Sequence, residues 1–176
     1  MTTEWTTPSI FSQYAEDGAE QAHISWDDSN GWAALLNRNV NEKIRTNGTL
    51  SHIARSPKHD ILTKTYYVKC QGFNFINLPD SPSGIELRLT TQRRGRITDE
   101  TIQLCFDNEV IGDNQANLVV DPIKVYGSET SLWSVNNLSM STIQDSKFGV
   151  VIRLQSHPNY PHRDEAYINA VELRIH

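Results

Sequence analysis

Cysteine, phosphate-binding glycine loops, basic charge and long apolar runs are all scarce or missing in this chain of 176 residues. Its two cysteines, Cys70 and Cys105, form no Cys-x-x-Cys pair and no Cys/His spacing of a zinc site. They read as small core residues, since free cysteine is often buried, and a disulfide is compatible with the sequence but not indicated. Neither Gly-x-x-x-x-Gly-Lys-Ser/Thr nor Gly-x-Gly-x-x-Gly occurs, so the common phosphate cradles are excluded. The Gly-x-Ser-x-Gly nucleophile elbow is missing too. Lys and Arg number 16 against 21 Asp and Glu, a net charge of −5, which argues against a nucleic-acid binder. No apolar run approaches the ~20 residues of a membrane span. The opening MTTEWTTPSIF has no basic and no apolar region of a secretory signal, so no leader is expected. The sequons Asn47-Gly-Thr49 and Asn137-Leu-Ser139 would matter only in a eukaryotic secretory pathway, where nothing places the chain.

What the chain does have is aromatic bulk and uneven charge. It carries 4 Trp, 6 Tyr and 5 Phe, and at roughly 150–250 Å² buried per ring these supply a real core. Residues 1–30 hold six acids and no base, whereas residues 31–70 hold seven bases and two acids. Apolar residues are scattered before residue 65 and alternate after it. The sequence therefore divides into an irregular N-terminal arm, 1–65, and one compact domain, 66–176. Within the arm, Asp27, Asp28 or Ser29 could cap a helical turn carrying Trp32, Leu35 and Leu36. Trp5, Phe11, Tyr14, Trp26 and Trp32 are too many aromatics for a disordered tail. They dock either on their own domain or on a neighbouring subunit.

The remainder reads as strands. Tyr66 to Cys70 is a short run, and Phe73 and Phe75 alternate before the Pro79, Pro82 and Gly84 loop. Ile85, Leu87 and Leu89 alternate with Glu86, Arg88 and Thr90, the pattern of a half-buried antiparallel strand. A hairpin tip at Arg93, Arg94, Gly95 and Arg96 leads to a return strand through Ile102, Leu104 and Phe106. Leu118, Val119 and Val120, then Ile123 to Val125, read as short strands around Pro122. Phe148, Val150, Ile152 and Leu154 alternate again. Ala166 and Ile168 are out of phase with Val171, Leu173 and Ile175, which predicts a β-bulge at Asn169-Ala170. About eight strands with Gly, Pro and Asn turns predict an all-β antiparallel sandwich or jelly roll.

Sites for chemistry are weak. Residues 157–165 hold His157, His162, Asp164 and Glu165, a metal-like composition, but two prolines extend that loop. Asp107, Glu109, Asp113 and Asn114 offer oxygen ligands without EF-hand spacing. No catalytic, cofactor-binding or metal-binding residue is assigned. Arg93, Arg94 and Arg96 form the densest basic patch, either a solvated hairpin tip or an anchor for an acidic partner surface.

The motifs also come in a distinctive order. They run Gly72-Phe73-Asn74-Phe75 with Leu78-Pro79, Gly84-Ile85-Glu86-Leu87, Asp99, Ile102-x-Leu104 and Gly112-Asp113-Asn114-x-Ala116. Tyr126-Gly127, Leu132-Trp133, Phe148-Gly149-Val150 and Ile168-x-x-Val171 follow. This series resembles a jelly-roll module of tailed-bacteriophage structural proteins over about 110 residues. Ser134 stands where that family usually has glycine, and Leu78 where isoleucine is commoner. The resemblance implies a non-enzymatic virion protein of the tail, baseplate, neck or capsid, assembled in the host cytoplasm. It implies other virion proteins as partners, a homo-oligomeric or symmetric multi-copy arrangement, and no membrane or nucleic-acid partner. Trp5, Phe11, Tyr14, Trp26, Trp32, Arg93, Arg94 and Arg96 are the candidate partner-binding residues. The alternative is a capsid decoration protein or a carbohydrate-binding adhesion module for a host-surface glycan. Tyr126, Trp133, Tyr160 and Tyr167 would then be the stacking rings. Trp133 either plugs one end of the sandwich or forms such a platform.

Overall fold

The computed structural model describes residues 2–14, 33–36, 52–55, 63–64, 67–156 and 165–176. Eleven strands and one short helix occur among them: β1 (Ile10–Tyr14), β2 (Ala33–Leu36), β3 (His52–Arg55), β4 (Thr63–Lys64), β5 (Tyr67–Gln71), β6 (Ile85–Arg94), β7 (Ile97–Phe106), β8 (Glu109–Ile111), β9 (Ile123–Ser128), α1 (Met140–Gln144), β10 (Phe148–Ser156) and β11 (Glu165–Ile175). The first sheet runs β1-β5-β10-β7-β8, with β4 also on β10, and the second runs β2-β3-β11-β6-β9. Every pairing between these strands is antiparallel.

Period-two alternation builds the core. Ile85, Leu87 and Leu89 of β6 meet Val171, Leu173 and Ile175 of β11 on the inner face of the second sheet. Val68 and Cys70, Ile102 and Leu104, and Phe148, Val150 and Ile152 fill the inner face of the first. All join one hydrophobic cluster, so the two sheets close on each other as a sandwich. The expected bulge is present: the β11–β6 register shifts between Ile168 and Ala170. A second shift, between Arg153 and Leu154 on β10, leaves Glu100 of β7 without a register partner. It carries β7 from an Ile97/Asp99 inner phase to an Ile102/Leu104 one. Ser139 caps α1 by accepting from the Thr142 amide at 3.1 Å, and the helix buries Ile143.

Three expectations need correction. Residues 33–36 are a strand paired with β3, not a helical turn, because a ladder outweighs three apolar residues at helical spacing. Leu118, Val119 and Val120 are irregular and exposed. Residues 2–14 are not irregular throughout. β1 pairs with β5 over its whole length, and Thr6 pairs with Leu173. The Thr3 and Thr6 amides donate to Ile175 O and Leu173 O, both at 2.9 Å. Backbone bonding on a sheet edge needs no apolar alternation, so these residues carry no periodic signal. Thr2 Oγ1 also lies 3.2 Å from Nδ1 of His176, so residues 2 and 176 are neighbours.

Candidate interaction surface

β9 reads Ile123-Lys124-Val125-Tyr126, and its alternation is inverted. Lys124 and Tyr126 point into the sandwich, while Ile123 and Val125 point to solvent, 60% and 51% exposed. Hydrophobicity alone would favour the opposite register, since a one-residue slip exchanges the faces of a strand. A buried ionic cluster opposes the slip. The Asp99 carboxylate, from β7, accepts from Tyr126 OH at 2.7 Å and from Lys124 Nζ through one oxygen. Its other oxygen accepts from Arg93 Nη2 at 2.6 Å. Side-chain exposure is 0% for Asp99, 4% for Arg93 and 6% for Lys124. Arg93 also donates to Thr91 Oγ1 at 3.0 Å and to Ile97 O at 3.3 Å. Burial, then the adjacent Asp99 charge, pushes the Tyr126 hydroxyl pKa well up, so it stays a donor.

The same lysine fixes the loop before β9. Lys124 Nζ donates to Asn117 Oδ1 at 2.7 Å and Val119 O at 2.8 Å. The Val119 amide donates to Asn117 Oδ1 at 3.1 Å, and the Thr91 amide to Pro122 O at 2.7 Å. A tethered backbone thus holds Leu118, Val119 and Val120 outward, 71%, 56% and 52% exposed. With Ile123 and Val125 they make five exposed apolar residues within eight positions of the chain. Scattered exposed apolar residues need no explanation, but five so close together in the chain make a candidate contact surface.

The residues singled out from sequence fall elsewhere. Trp5 lies on the second sheet between the Arg88 and Arg174 guanidinium groups, 4.4 and 4.5 Å from its ring centre. Those arginines pair with Glu172, at 2.6 Å for Arg88, and with Glu86 for Arg174. Phe11 packs against the core. Tyr14 stacks on Tyr67 at 5.1 Å between centroids, and its hydroxyl pKa is pushed up to about 12, chiefly by burial. These three rings therefore dock on their own chain. Trp26 and Trp32 lie outside the described residues, as does the side chain of Arg94. Arg96 is exposed at the hairpin tip. As a surface anchor Arg93 needs correction, because its guanidinium is buried against Asp99. Its position gave the signal: it is in phase with Ile85, Leu87, Leu89 and Thr91, all inward-facing. The Asp99–Lys124 pair had no sequence signal, since nothing marks β9 as inverted.

Trp133 is buried, 1% exposed, and donates from its indole to Ile85 O at 2.9 Å. It packs beneath Gly127, whose φ is +81°. A Cβ there would overlap both Ile85 O and the Trp133 indole. Trp133 is thus a plug and not a stacking platform. With Tyr126 also buried, two of the four proposed stacking rings leave the surface. Tyr160 and the Tyr167 side chain lie outside the described residues, as does the loop 157–164.

Among the described residues no group of three His, Cys, Asp or Glu side chains could hold a metal ion. At the 107–114 turn, Asp107 pairs with Lys147 at 3.2 Å. Asn114 staples backbone there, accepting from the Ile102 and Ala116 amides at 2.9 and 3.0 Å. Cys70 and Cys105 are free and buried, and burial pushes the Cys105 thiol to about 12 and Cys70 well up, so neither is a nucleophile at neutral pH. In comparisons with known proteins, no family model and no curated sequence matches the chain.

Proposed function

We propose that this chain is a non-enzymatic structural component of a tailed-phage virion that works through protein–protein contact. The observation that carries the reading is the set of exposed apolar residues Leu118, Val119, Val120, Ile123 and Val125, on a segment tied through Lys124 to a buried ionic cluster. A rigid scaffold presenting fixed apolar side chains loses little conformational freedom on binding, which suits permanent assembly. The jelly-roll form of the sandwich belongs to the same proposal. Its support is the change of sheet between β6 and β7 and between β10 and β11, with β10 and β11 inserted between earlier strands. Of the motifs that resemble the phage module, Ile85–Leu87 lie on β6, Ile102-x-Leu104 on β7, Phe148–Val150 on β10 and Ile168-x-x-Val171 on β11. Purified particles of the phage that encodes the chain should contain it in stoichiometric amount. Quantitative mass spectrometry measures this, and cryo-electron microscopy shows its position. Its absence from purified particles overturns the reading.

A further inference from the structure

We infer that the free edge of β9 takes an extended apolar segment with basic flanks from a partner protein, by addition of a strand to the second sheet. The inference rests on the proposed assembly role and names the partner's chemistry. Among the described residues β9 ladders with β6 alone and, apart from the Ser128–Ser131 bridge at its end, no strand pairs with its other edge. Natural edge strands are commonly protected by an outward lysine, a bulge or a covering loop. Here the one lysine of the strand, Lys124, is turned inward onto Asp99, and the outward side chains are Ile123 and Val125. The edge therefore offers backbone groups together with an unprotected apolar face, the features that strand addition uses.

Charge selects the occupant. Asp121 precedes the strand and Glu129 follows it, and both are exposed. On the neighbouring β6, Arg88 lies opposite Val125 but is committed to Glu172 at 2.6 Å and to the Trp5 ring. The strip is thus apolar in the middle and acidic at both ends. A second copy fits poorly: two-fold antiparallel pairing of β9 brings Asp121 of one copy to the Glu129 end of the other. Like charges facing each other across a ladder are destabilising. A partner strand with Lys or Arg at each end meets opposite charge at both.

The test uses the full chain and two synthetic peptides, each alternating Val and Thr, one with lysine ends and one with glutamate ends. Fluorescence anisotropy at low salt reads binding, and hydrogen exchange reads protection of residues 123–128. The lysine-ended peptide should bind about tenfold more tightly than the glutamate-ended one and should slow exchange on β9. Val125→Lys should abolish both effects, with an unchanged melting curve showing that the fold is intact. Asp121→Asn with Glu129→Gln is the milder variant and should erase the preference between the peptides. No protection by either peptide, equal affinity for both, or concentration-dependent self-association that protects the same amides each overturns the inference. Presence of the chain in virions is scored separately, so the assembly reading and this docking mode fail independently.

Discussion

Replacing Asp99 by alanine tests the ionic cluster that holds β9 in its inverted register. The carboxylate has no exposed side-chain area and meets two cations and a phenol. Its removal leaves Arg93 and Lys124 buried without a counter-charge. Both retain neutral partners, Thr91 Oγ1 and Ile97 O for the arginine, Asn117 Oδ1 and Val119 O for the lysine. The cost is therefore uncompensated charge more than lost hydrogen bonds. Breaking a buried pair from one side costs about 3–5 kcal/mol. For a chain of this size each kcal/mol moves Tm by roughly 2–4 °C, so a fall of about 6–20 °C is expected. Urea denaturation followed by tryptophan fluorescence measures the free energy. Hydrogen exchange should show the Val119 amide losing protection, because the Lys124 tether loosens with its anion. Asp99→Asn keeps volume and an acceptor but removes the charge, and it should show most of the same loss. A cost below about 1 kcal/mol for Asp99→Ala, with the Val119 amide still protected, would refute the reasoning.

Gly127→Ala should destabilise by about 2–3 kcal/mol in urea melts, because the new methyl group meets the Trp133 indole and Ile85 O at a positive φ. Burial alone would raise the Glu86 pKa, but hydrogen bonds from Arg174 and His176 outweigh it and hold the carboxyl below its usual value. A lowered folded-state pKa contributes stability that is fully present above about pH 4.3 and is lost as pH falls through the folded value. Glu86→Gln should accordingly flatten the acid side of a plot of urea midpoint against pH. A chain beginning at residue 66 should melt below the full chain, because it lacks the β1–β5, β3–β11 and β4–β10 pairings and the Thr3 and Thr6 bonds to β11. Equal melting temperatures would show that residues 1–65 add nothing to the stability of the sandwich.

Much of the central sandwich is legible in the sequence because β6, β10 and β11 alternate with one face buried, so each apolar residue reports its own side. The Asn169 bulge is legible for the same reason, as a change of phase. Legibility fails where the backbone or a charge decides. Residues 2–14 join the sheets through backbone bonds, with little apolar patterning to announce them. β9 alternates correctly, but Lys124 and Asp99 choose which face turns inward, and their pairing spans 25 positions of chain. Arg93 sits in a basic tract that looks solvated, yet its phase within β6 turns it to the same carboxylate. The candidate surface was hidden for a related reason: the exposed Ile123 and Val125 share their composition with a core strand, and only the burial of Lys124 separates the two.

The contact between residues 2–6 and 173–176 also fixes how the sandwich bears load. Thr2 and His176 lie at the same end of a short antiparallel ladder whose bonds are Thr3 N to Ile175 O, Ile175 N to Thr3 Oγ1, and the Thr6–Leu173 pair. Antiparallel bonds run perpendicular to the strands. Tension that separates residues 2 and 176 therefore acts along these bonds and opens them one after another, like a zip. Tension applied along β1 instead shears all five of its register pairs with β5 together. The sandwich is mechanically weak when pulled apart at these two neighbouring residues and strong when pulled lengthwise along its sheets.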